Sequence, residues 1–324
     1  RDTDRSRGLG DVYKRQLSHH RFVSVSEDSN GHLWFTTYNL HVYRLNRYTE
    51  QFEDVVSLVD GVDSKHYRMT HCLHDGDGGT WVAIAGLGVA RFADGADAAP
   101  VRVDAFFDAP LLGGDVTAMY VDDRDGAWIA AADGQLNHIA AGERTARTLC
   151  ETAAPAFAFT ADAASVYCAT PGEVVRVGKQ TGKVDRLPGG EAPLTAIVAD
   201  SVRSAVYAGS RSGELYRVAG DRLARLDPKG ARPRRIRGLA ADSHGIVWVT
   251  SAETGITRYN PSTDDYKHFG QEPYTVSYNL DTITKIAEGG GLLWIKMNNW
   301  GFGYYDRERD TVEPFYNDPK QPNC

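Results

Sequence analysis

Cysteine is scarce in this chain, and long apolar runs do not occur in it. The sequence of 324 residues has four cysteines, which are Cys72, Cys150, Cys168 and Cys324. None of them stands in a CxxC pair or at a spacing that zinc sites use, and a disulfide framework would be unusual in a domain of this size. No stretch approaches 18 consecutive apolar residues, so we predict no membrane-spanning helix within the sequence.

Blocks of like charge are also missing. The sequence has 36 Lys and Arg residues against 43 Asp and Glu residues, which gives a net charge of −7. No cluster of basic residues is long enough to indicate a nucleic-acid surface, so we expect no nucleic-acid contact. The densest basic stretch is RPRRIR, residues Arg232–Arg237. Its pattern favours a solvated loop that runs into a strand, and the local binding of an anionic ligand is the alternative.

Catalytic motifs are absent as well. The sequence contains no Gly-x-Ser-x-Gly, His-Glu-x-x-His or Walker-type motif. Among ten histidines, His66 is the best candidate for a general base, but no positioned carboxylate partner can be named for it. The acidic turns after Asp75 and Asp122 resemble pieces of a calcium loop, but neither has the closing Glu at the twelfth position. We therefore predict no catalytic residue, no metal ion and no cofactor.

What the sequence does contain is a repeat, which occurs seven times. In each copy a short apolar run ends at an acidic residue, and a large aromatic residue follows about six positions later. The pairs are Asp28 and Trp34, Asp75 and Trp81, Asp122 and Trp128, Asp162 and Tyr167, Asp200 and Tyr207, Asp242 and Trp248, and Glu288 and Trp294. The intervening Asp, Asn and Gly residues favour turns. We expect the aromatic residue to pack between neighbouring repeats, where a large flat side chain buries most area.

The spacing between the repeats predicts the fold. They start near Phe22, Met69, Val116, Ala156, Leu194, Ile236 and Ile283, so the period is 38 to 47 residues. A period in that range, filled with strands, is typical of a β-propeller. We therefore predict an all-β chain that forms a seven-bladed β-propeller of four-stranded antiparallel blades over residues 17–316. In the first blade, alternation of apolar and polar residues predicts strands at 22–27, 33–37, 41–45 and 51–55.

The predicted third strands share a basic position. Arg fills it in five of the seven copies, and these residues are Arg44, Arg91, Arg176, Arg217 and Arg258, with His138 and Tyr304 in the other two. A ring of identical positions is one way to build a binding surface. The structural alternative is favoured here, because Arg often lays its stem over apolar surface and keeps its charged head in solvent.

The pattern as a whole resembles a known repeat. An apolar strand, Asp-x-x-Gly-x-x-Trp, a turn and then apolar-x-Arg-apolar is similar to the two-component regulator propeller repeat. Such repeats form the periplasmic sensor region of hybrid two-component systems, which sense breakdown products of complex glycans and control a histidine kinase. The resemblance implies that this chain is a non-catalytic, periplasmic propeller of an inner-membrane protein.

The same resemblance implies partners. They are an oligosaccharide or other small-molecule ligand, and the following propeller and sandwich domains of the same chain. A homodimer of the full-length protein is also compatible with it.

The two ends of the sequence fit no repeat. Residues 1–16, with the sequence RDTDRSRGLGDVYKRQ, resemble a run found at the ends of many metagenomic open reading frames. We interpret them as a non-native leader. Residues 317–324 are expected to begin a connection to a further domain.

Candidate ligand-binding residues lie in the loops between blades and in the turns that join second to third strands, because loops carry most binding residues in such folds. Trp300 is the one Trp of six outside the repeat, and its flat face would stack on a pyranose ring. Polar and aromatic groups predicted beside it are Asn298, Asn299, Arg68, His66, Tyr67, Glu253 and Tyr274. In the alternatives, Trp300 packs inside the fold or contacts a neighbouring domain.

Two other functions remain open at this stage. Seven-bladed propellers include enzymes, and the streptogramin lyase family is built from similar repeats, so a free-standing enzyme of that type is one alternative. A scaffold for protein contacts is the other, because a fold by itself does not define an activity.

Overall fold

The described strands form seven four-stranded antiparallel sheets that follow one another along the chain. The structure is a computed structural model, and it describes residues 22–37, 41–55, 58–59, 69–93, 99–122, 124–251, 255–269, 283–289, 292–297 and 301–314. Within every sheet, each strand pairs with the one before it in sequence. This up-and-down order needs only short connections, as expected for repeats of this length.

The first three sheets contain twelve strands. The first sheet consists of β1 (Phe22–Glu27), β2 (Leu33–Thr37), β3 (Val42–Asn46) and β4 (Gln51–Asp54). The second consists of β5 (Met69–His74), β6 (Gly79–Ile84), β7 (Gly88–Ala93) and β8 (Arg102–Asp108). The third consists of β9 (Val116–Asp122), β10 (Gly126–Ala131), β11 (Gln135–Ile139) and β12 (Arg147–Glu151). One short helix, α1 (Ala109–Leu112), connects the second sheet to the third.

The remaining four sheets contain sixteen strands. The fourth sheet consists of β13 (Ala158–Ala161), β14 (Ser165–Ala169), β15 (Glu173–Gly178) and β16 (Val184–Pro188). The fifth consists of β17 (Leu194–Asp200), β18 (Ala205–Ser210), β19 (Leu215–Ala219) and β20 (Arg222–Arg225). The sixth consists of β21 (Ile236–Ala241), β22 (Val247–Ser251), β23 (Gly255–Asn260) and β24 (Asp265–Phe269). The seventh consists of β25 (Ile283–Gly289), β26 (Leu292–Met297), β27 (Gly301–Asp306) and β28 (Thr311–Pro314).

These boundaries confirm the repeat spacing. Six of the seven first strands begin at the residue predicted from sequence, and the fourth sheet begins at Ala158 instead of near Ala156. The two sheets whose repeats have Tyr in place of Trp are complete, with four strands each. The all-β prediction and the seven four-stranded antiparallel sheets are therefore confirmed.

The chain divides into two units, residues 1–149 and 150–324. The first unit contains the first three sheets up to the middle of β12, and the second contains sheets four to seven. No helix in the described part of the chain has the length and apolar character needed to cross a membrane.

The core of each unit lies between neighbouring sheets. Trp34 of the first sheet packs with Val82, Ile84 and Phe92 of the second. In the second unit, Trp248 packs in the same way with Leu293 and other residues of the seventh sheet. The second strands are covered on both faces, and every residue of β6, β10, β18 and β22 is buried. The predicted packing of the repeated aromatic residue between neighbouring sheets is confirmed at these positions.

The repeated acid and aromatic residue are joined by a hydrogen bond. Asp28 Oδ1 accepts hydrogen bonds from the backbone N–H groups of Asn30 and His32, at 3.0 and 2.9 Å. Its Oδ2 accepts a bond from the indole Nε1 of Trp34, at 2.6 Å. The same bond links Asp75 to Trp81 at 3.0 Å and Asp242 to Trp248 at 2.9 Å. One carboxylate thus closes the turn and orients the core aromatic, and we call this arrangement the carboxylate clamp.

The third-strand arginines differ from the prediction. Their heads were expected in solvent, but four of the five are held by carboxylates. The N–O distances are 2.8 Å for Arg44 and Glu53, 2.8 and 2.5 Å for Arg91 with Asp75 and Asp104, 2.7 Å for Arg176 and Asp185, and 2.8 Å for Arg258 and Asp310. Arg217 is the exposed one. The physical reason is that a neighbouring fourth strand, turn or sheet places an acid opposite the guanidinium, and a charged group at low exposure needs such a partner.

Replacement of Trp34 by Ala tests the clamp and the core together. Trp34 has no solvent exposure, so Trp34→Ala should lower the free energy of unfolding by about 3–5 kcal/mol, the usual cost of truncating a buried aromatic. Trp294 occupies the same position in the seventh repeat but is 36% exposed, so Trp294→Ala should cost less than about 2 kcal/mol. Urea unfolding of both variants measures the difference, and equal losses would contradict the assignment of Trp34 to the core.

The clamp also predicts a loss of stability in acid. Burial of Asp242 opposes its ionisation, but hydrogen bonds from Trp248, the Ile246 N–H group and Arg307 outweigh this and lower its pKa below the ordinary value. A lowered folded-state pKa stabilises the fold above the unfolded pKa of about 3.9, and this stability is lost as the pH falls towards the folded pKa. Asp242→Asn should therefore unfold with a weaker dependence on pH below about 5 than the parent chain. Parallel pH profiles of both would disprove it.

Candidate functional site

The binding residues predicted from sequence lie outside the described residues. They are His66, Tyr67, Arg68, Glu253, Tyr274, Asn298, Asn299 and Trp300. Their association in one site, and the stacking role of Trp300, therefore stay predictions. The described part of the chain has a different feature with the shape and charge of a binding site.

This feature is an open basic cleft in the second unit. It has a volume of about 780 Å³ and is lined by Arg211, Ser212, Ala231, Arg232, Arg234, Arg235 and His268. A second hollow of about 440 Å³ adjoins it, lined by Thr195, Arg211, Arg235, Ile236 and Arg237. The two share Arg211 and Arg235. We refer to both hollows together as the basic cleft.

Three segments of the fifth and sixth sheets build the basic cleft. Arg211 and Ser212 lie in the turn between β18 and β19, which joins a second strand to a third. Residues 231–235 lie in the connection from β20 to β21, between two sheets, and His268 lies near the end of β24. In an up-and-down sheet these turns and connections share one edge. It is the kind of edge on which the sequence predicts ligand contacts.

A glycine brings the turn and the connection together. Gly213 has a φ of 90°, a conformation that favours glycine. A Cβ atom at this position would overlap the backbone carbonyl oxygen of Pro233. The absence of a side chain thus allows the connection to lie directly against the turn, which places Arg211 and Arg234 in one cleft.

Hydrogen bonds hold the connection at several points. The His268 ring donates from Nε2 to the Ala231 carbonyl oxygen at 2.6 Å, and the Thr257 hydroxyl lies 2.6 Å from Nδ1 of the same ring. The Ser251 hydroxyl donates to the Arg234 carbonyl oxygen, and the Thr195 hydroxyl donates to the Ile236 carbonyl oxygen at 2.6 Å. These bonds occupy backbone carbonyls, so the backbone is fixed while the arginine side chains line the cleft.

The backbone of the connection includes an uncommon conformation. Arg235 has a φ of 51°, in the left-handed region where residues with a side chain are seldom found. Such a conformation costs free energy and persists where the surrounding structure enforces it, often at functional sites. Here the bonds at Arg234 and Ile236 on either side enforce it.

Exposed arginines are concentrated in the basic cleft. Its described lining residues include five exposed arginines and no acid. The carboxylate of Glu214 lies 4.0 Å from the guanidinium of Arg232. Glu214 already accepts bonds from Tyr216 and Ser212, at 2.8 and 3.0 Å, and pairs with Arg225 at 3.2 Å. The hydrogen bond from Tyr216 is the main cause of its lowered pKa, which keeps it ionised.

The sequence pattern indicates part of this site. The stretch Arg232–Arg237 was predicted as a solvated loop that runs into a strand, and it does so, since β21 begins at Ile236 and the arginines are exposed. What the pattern did not indicate is that Arg211 and His268 join this loop. Neither residue is adjacent to the loop in sequence, and only the packing of the fifth sheet on the sixth brings them to the same edge.

An acidic hollow in the first unit is a weaker candidate. It has a volume of about 240 Å³, and its lining includes Asp75, Arg91, Asp104, Glu143 and Arg144. Its charges are largely satisfied internally, because Arg91 pairs with both Asp75 and Asp104, and Arg144 lies 3.5 Å from Asp104. Among the residues that the structure describes, no group of three or more His, Cys, Asp or Glu side chains is arranged to hold a metal ion.

Comparison with known proteins identifies the repeat and shows which fold the chain resembles. The family model described as two component regulator propeller matches residues 16–39, a segment that holds β1, the clamp turn at Asp28 and β2. The chain carries a two-component regulator propeller repeat. The other copies, with the same clamp at Asp75 and Asp242, have the same local construction. No curated protein matches the sequence.

Solved structures show the fold alone. The Dos1 propeller superposes with a TM-score of 0.68 at 10% identity, covering 91% of this chain and 83% of that one. Virginiamycin B lyase from Staphylococcus aureus superposes with a TM-score of 0.63 at 10% identity, covering 91% and 95%. The extracellular domain of a putative one component system from B. thetaiotaomicron, at 14% identity and 92% and 49% coverage, has a TM-score of 0.48, too low to support an argument. The fold is therefore of the β-propeller type.

Replacement of Gly213 tests the construction of the basic cleft. Gly213→Ala should lower the free energy of unfolding by about 2–3 kcal/mol, because the new Cβ meets a backbone carbonyl at a φ that disfavours side chains. Gly220 is a matched control in the same sheet, since its φ is 62° and no atom lies within 4 Å of an added Cβ. Gly220→Ala should cost about 1 kcal/mol. Equal losses in urea unfolding would mean that the close approach at Pro233 is unimportant.

Proposed function

We propose that this chain is the ligand-sensing propeller of a hybrid two-component regulator, located outside the cytoplasm. The observation that carries the proposal is the match of residues 16–39 to the two-component regulator propeller family. The clamp at Asp28, inside the matched segment, recurs at Asp75 and Asp242 with bonds of 2.6 to 3.0 Å. The matched repeat is therefore the building unit of the described chain and not an isolated resemblance.

In this proposal the seven sheets close into one seven-bladed ring. Seven complete four-stranded sheets support it, as does the way in which the aromatic residue of one sheet packs on the next within each unit. A ring leaves only short strand edges exposed, which limits edge-to-edge association between molecules.

The proposed role is to bind a glycan fragment and pass a signal to a histidine kinase across the membrane. A ligand changes such an equilibrium only if it has different affinities for the two arrangements of the sensor. The edge formed by inter-sheet connections and second-to-third-strand turns is suited to this, because a ligand there can contact both this propeller and the sandwich or second propeller that follows it. The sequence predicts the residues around Trp300 on the same kind of edge.

Three of the described histidines support binding without catalysis over the lyase alternative. His74 lies between the hydroxyls of Ser26 and Thr80, at 2.7 and 2.9 Å. His138 donates to a backbone carbonyl at 2.6 Å, and His268 holds the Ala231 connection. These rings have structural partners, whereas a general base needs a free path to substrate. His66, the best sequence candidate, lies outside the described residues, and the likeness to virginiamycin B lyase extends to the fold alone.

The native gene provides the first test. We expect sequencing on both sides of this chain to reveal, in one reading frame, further propeller repeats, a membrane helix and a histidine kinase. The full-length regulator should then activate a reporter when cells receive one glycan digest and not others. A deletion of residues 17–316 should abolish that response while the kinase is still produced. A native stop codon directly after Cys324, with no kinase in the frame, would refute the sensor proposal.

A further inference from the structure

The turn between β27 and β28, residues 307–310, presents charged groups of both signs to the sixth sheet. Its Asp310 binds two cations of that sheet, and its Arg307 binds the carboxylate of Asp242 at 2.9 Å. We propose that this turn, which we name the latch turn, holds the seventh sheet on the sixth by charge. Screening of these charges then lets the seventh sheet open as a unit while sheets four to six stay folded.

Asp310 is the centre of the latch turn. One oxygen of its carboxylate lies 2.8 Å from Nη1 of Arg258, and the other lies 2.5 Å from Nζ of Lys267. Arg258 belongs to β23 and Lys267 to β24, so both cations come from the sixth sheet. A single carboxylate of the seventh sheet therefore joins two strands of its neighbour.

The inter-sheet pairs are added to a turn that the repeat already forms. Asp264 occupies the equivalent turn of the sixth sheet with a φ of 52°, and its carboxylate accepts a hydrogen bond from the Tyr259 hydroxyl at 3.1 Å. Asp310 has a φ of 53° and accepts the corresponding bond from Tyr305 at 2.6 Å. The backbone conformation and the tyrosine bond are thus shared by both sheets. At Asp310 the two cations of the preceding sheet are bound as well.

The carboxylates that the latch turn uses are ionised at neutral pH. Burial opposes the ionisation of Asp310, but hydrogen bonds from Lys267 and Tyr305 outweigh it and lower its pKa. Burial also opposes the ionisation of Asp242, and its hydrogen bonds, the one from Trp248 first among them, lower its pKa. A change of pH near neutrality therefore does not release the latch turn, whereas dissolved ions weaken it by screening.

Two bonds that join other sheets of the same unit end on neutral oxygens. The Thr195 hydroxyl joins the fifth sheet to the Ile236 carbonyl oxygen of the sixth at 2.6 Å. The Arg176 guanidinium joins the fourth sheet to the Gly220 carbonyl oxygen of the fifth at 2.8 Å. Partly exposed ion pairs contribute little each and are weakened by salt, and a bond to a neutral oxygen is weakened less. We therefore expect salt to loosen the interface between the sixth and seventh sheets first.

Apolar packing also holds the seventh sheet less firmly on one of its faces. Leu293 and Ile295 pack with Trp248 of the sixth sheet. On the opposite face Trp294 is 36% exposed, whereas Trp248, at the same position of its own repeat, has no exposure. Regions with less apolar burial open locally at a lower free energy than the core. The seventh sheet is therefore the part of its unit that opens first.

The sensor proposed above gives such an opening a use. A sensor needs two arrangements close enough in free energy for a ligand to shift the balance between them, and the latched and open seventh sheet are two such arrangements. The inference rests on the sensor proposal for this use alone, and the latch itself depends only on the contacts between the two sheets.

Hydrogen exchange of the whole chain, followed by mass spectrometry of its peptides, tests the latch. Exchange is compared in about 0.01 M and about 1 M sodium chloride, between which the Debye length falls from about 30 to about 3 Å. We expect peptides from residues 301–314 to exchange about tenfold faster at high salt, because the screened pairs no longer oppose opening. Peptides from β17 to β24 should change by less than about twofold.

Two variants then locate the effect. Asp310→Asn should bring exchange of residues 301–314 at low salt close to the rate of the parent chain at high salt, with most of the salt response lost. Asp185→Asn is the matched control, because Asp185 pairs with Arg176 inside one sheet at 2.7 Å and both pairs are partly exposed. It should leave the seventh sheet and its salt response unchanged. Thermal unfolding establishes that each variant is folded.

Each result has a defined meaning. Faster exchange confined to the seventh sheet, both at high salt and in Asp310→Asn, supports the inference. An equal salt response in all sheets, a seventh sheet that exchanges more slowly than the sixth at both salt concentrations, or equal effects of Asp310→Asn and Asp185→Asn would overturn it. If Asp310→Asn does not fold, the salt comparison of the parent chain decides alone. The latch can fail in this way while the sensor proposal stands, whereas a native gene without a kinase would refute only the sensor.

Discussion

The fold depends on the carboxylate clamp, in which one acid binds a turn and an aromatic ring at once. One oxygen of Asp28 accepts two backbone N–H groups, and the other accepts the indole N–H of Trp34. An indole nitrogen in a core is usually satisfied by such a partner, and a tight turn needs its N–H groups satisfied. The clamp meets both needs with one side chain. The ring is thereby directed at the neighbouring sheet, where most of the apolar burial occurs.

Some repeats differ from the carboxylate clamp in the length or the hydrogen bonding of their aromatic side chain. Tyr167 stands one residue closer to its acid than Trp does, and its longer reach to the hydroxyl gives a 2.8 Å bond to Asp162. Trp128 keeps the six-residue spacing, but its Nε1 has no hydrogen-bond partner among the described residues. Its ring stacks on His138 with centroids 4.2 Å apart. The repeat tolerates such changes because neighbouring sheets each contribute to the core.

Arginine occurs in two environments in the described part of the chain. Between the sixth and seventh sheets, Asp310 binds Arg258 and Lys267 at 2.8 and 2.5 Å, and Asp242 binds Arg307 at 2.9 Å. These partly buried pairs link adjacent sheets. In the basic cleft the arginines are exposed, and Arg232 lies 4.0 Å from the carboxylate of Glu214. The two groups of arginines therefore differ in their exposure to solvent.

Local pattern determined the sheets, their number and six of their seven starting residues, because alternation along a strand and the Asp-to-Trp spacing are set within a few residues. The sequence also contains the acidic residues that pair with the third-strand arginines. Glu53 and Asp185 stand directly opposite Arg44 and Arg176 in the register, but their pairing required knowledge of which residues face each other. The basic stretch Arg232–Arg237 was also evident, though only as a solvated loop.

Tertiary structure alone decided that this loop is part of a cleft. Arg211 and His268 reach it because the fifth and sixth sheets place their turns at one edge, and Gly213 allows the backbones to approach. A glycine in a turn looks the same in sequence whether or not another chain segment lies against it. Contacts between residues distant in sequence depend on how sheets pack, and no local pattern encodes that geometry.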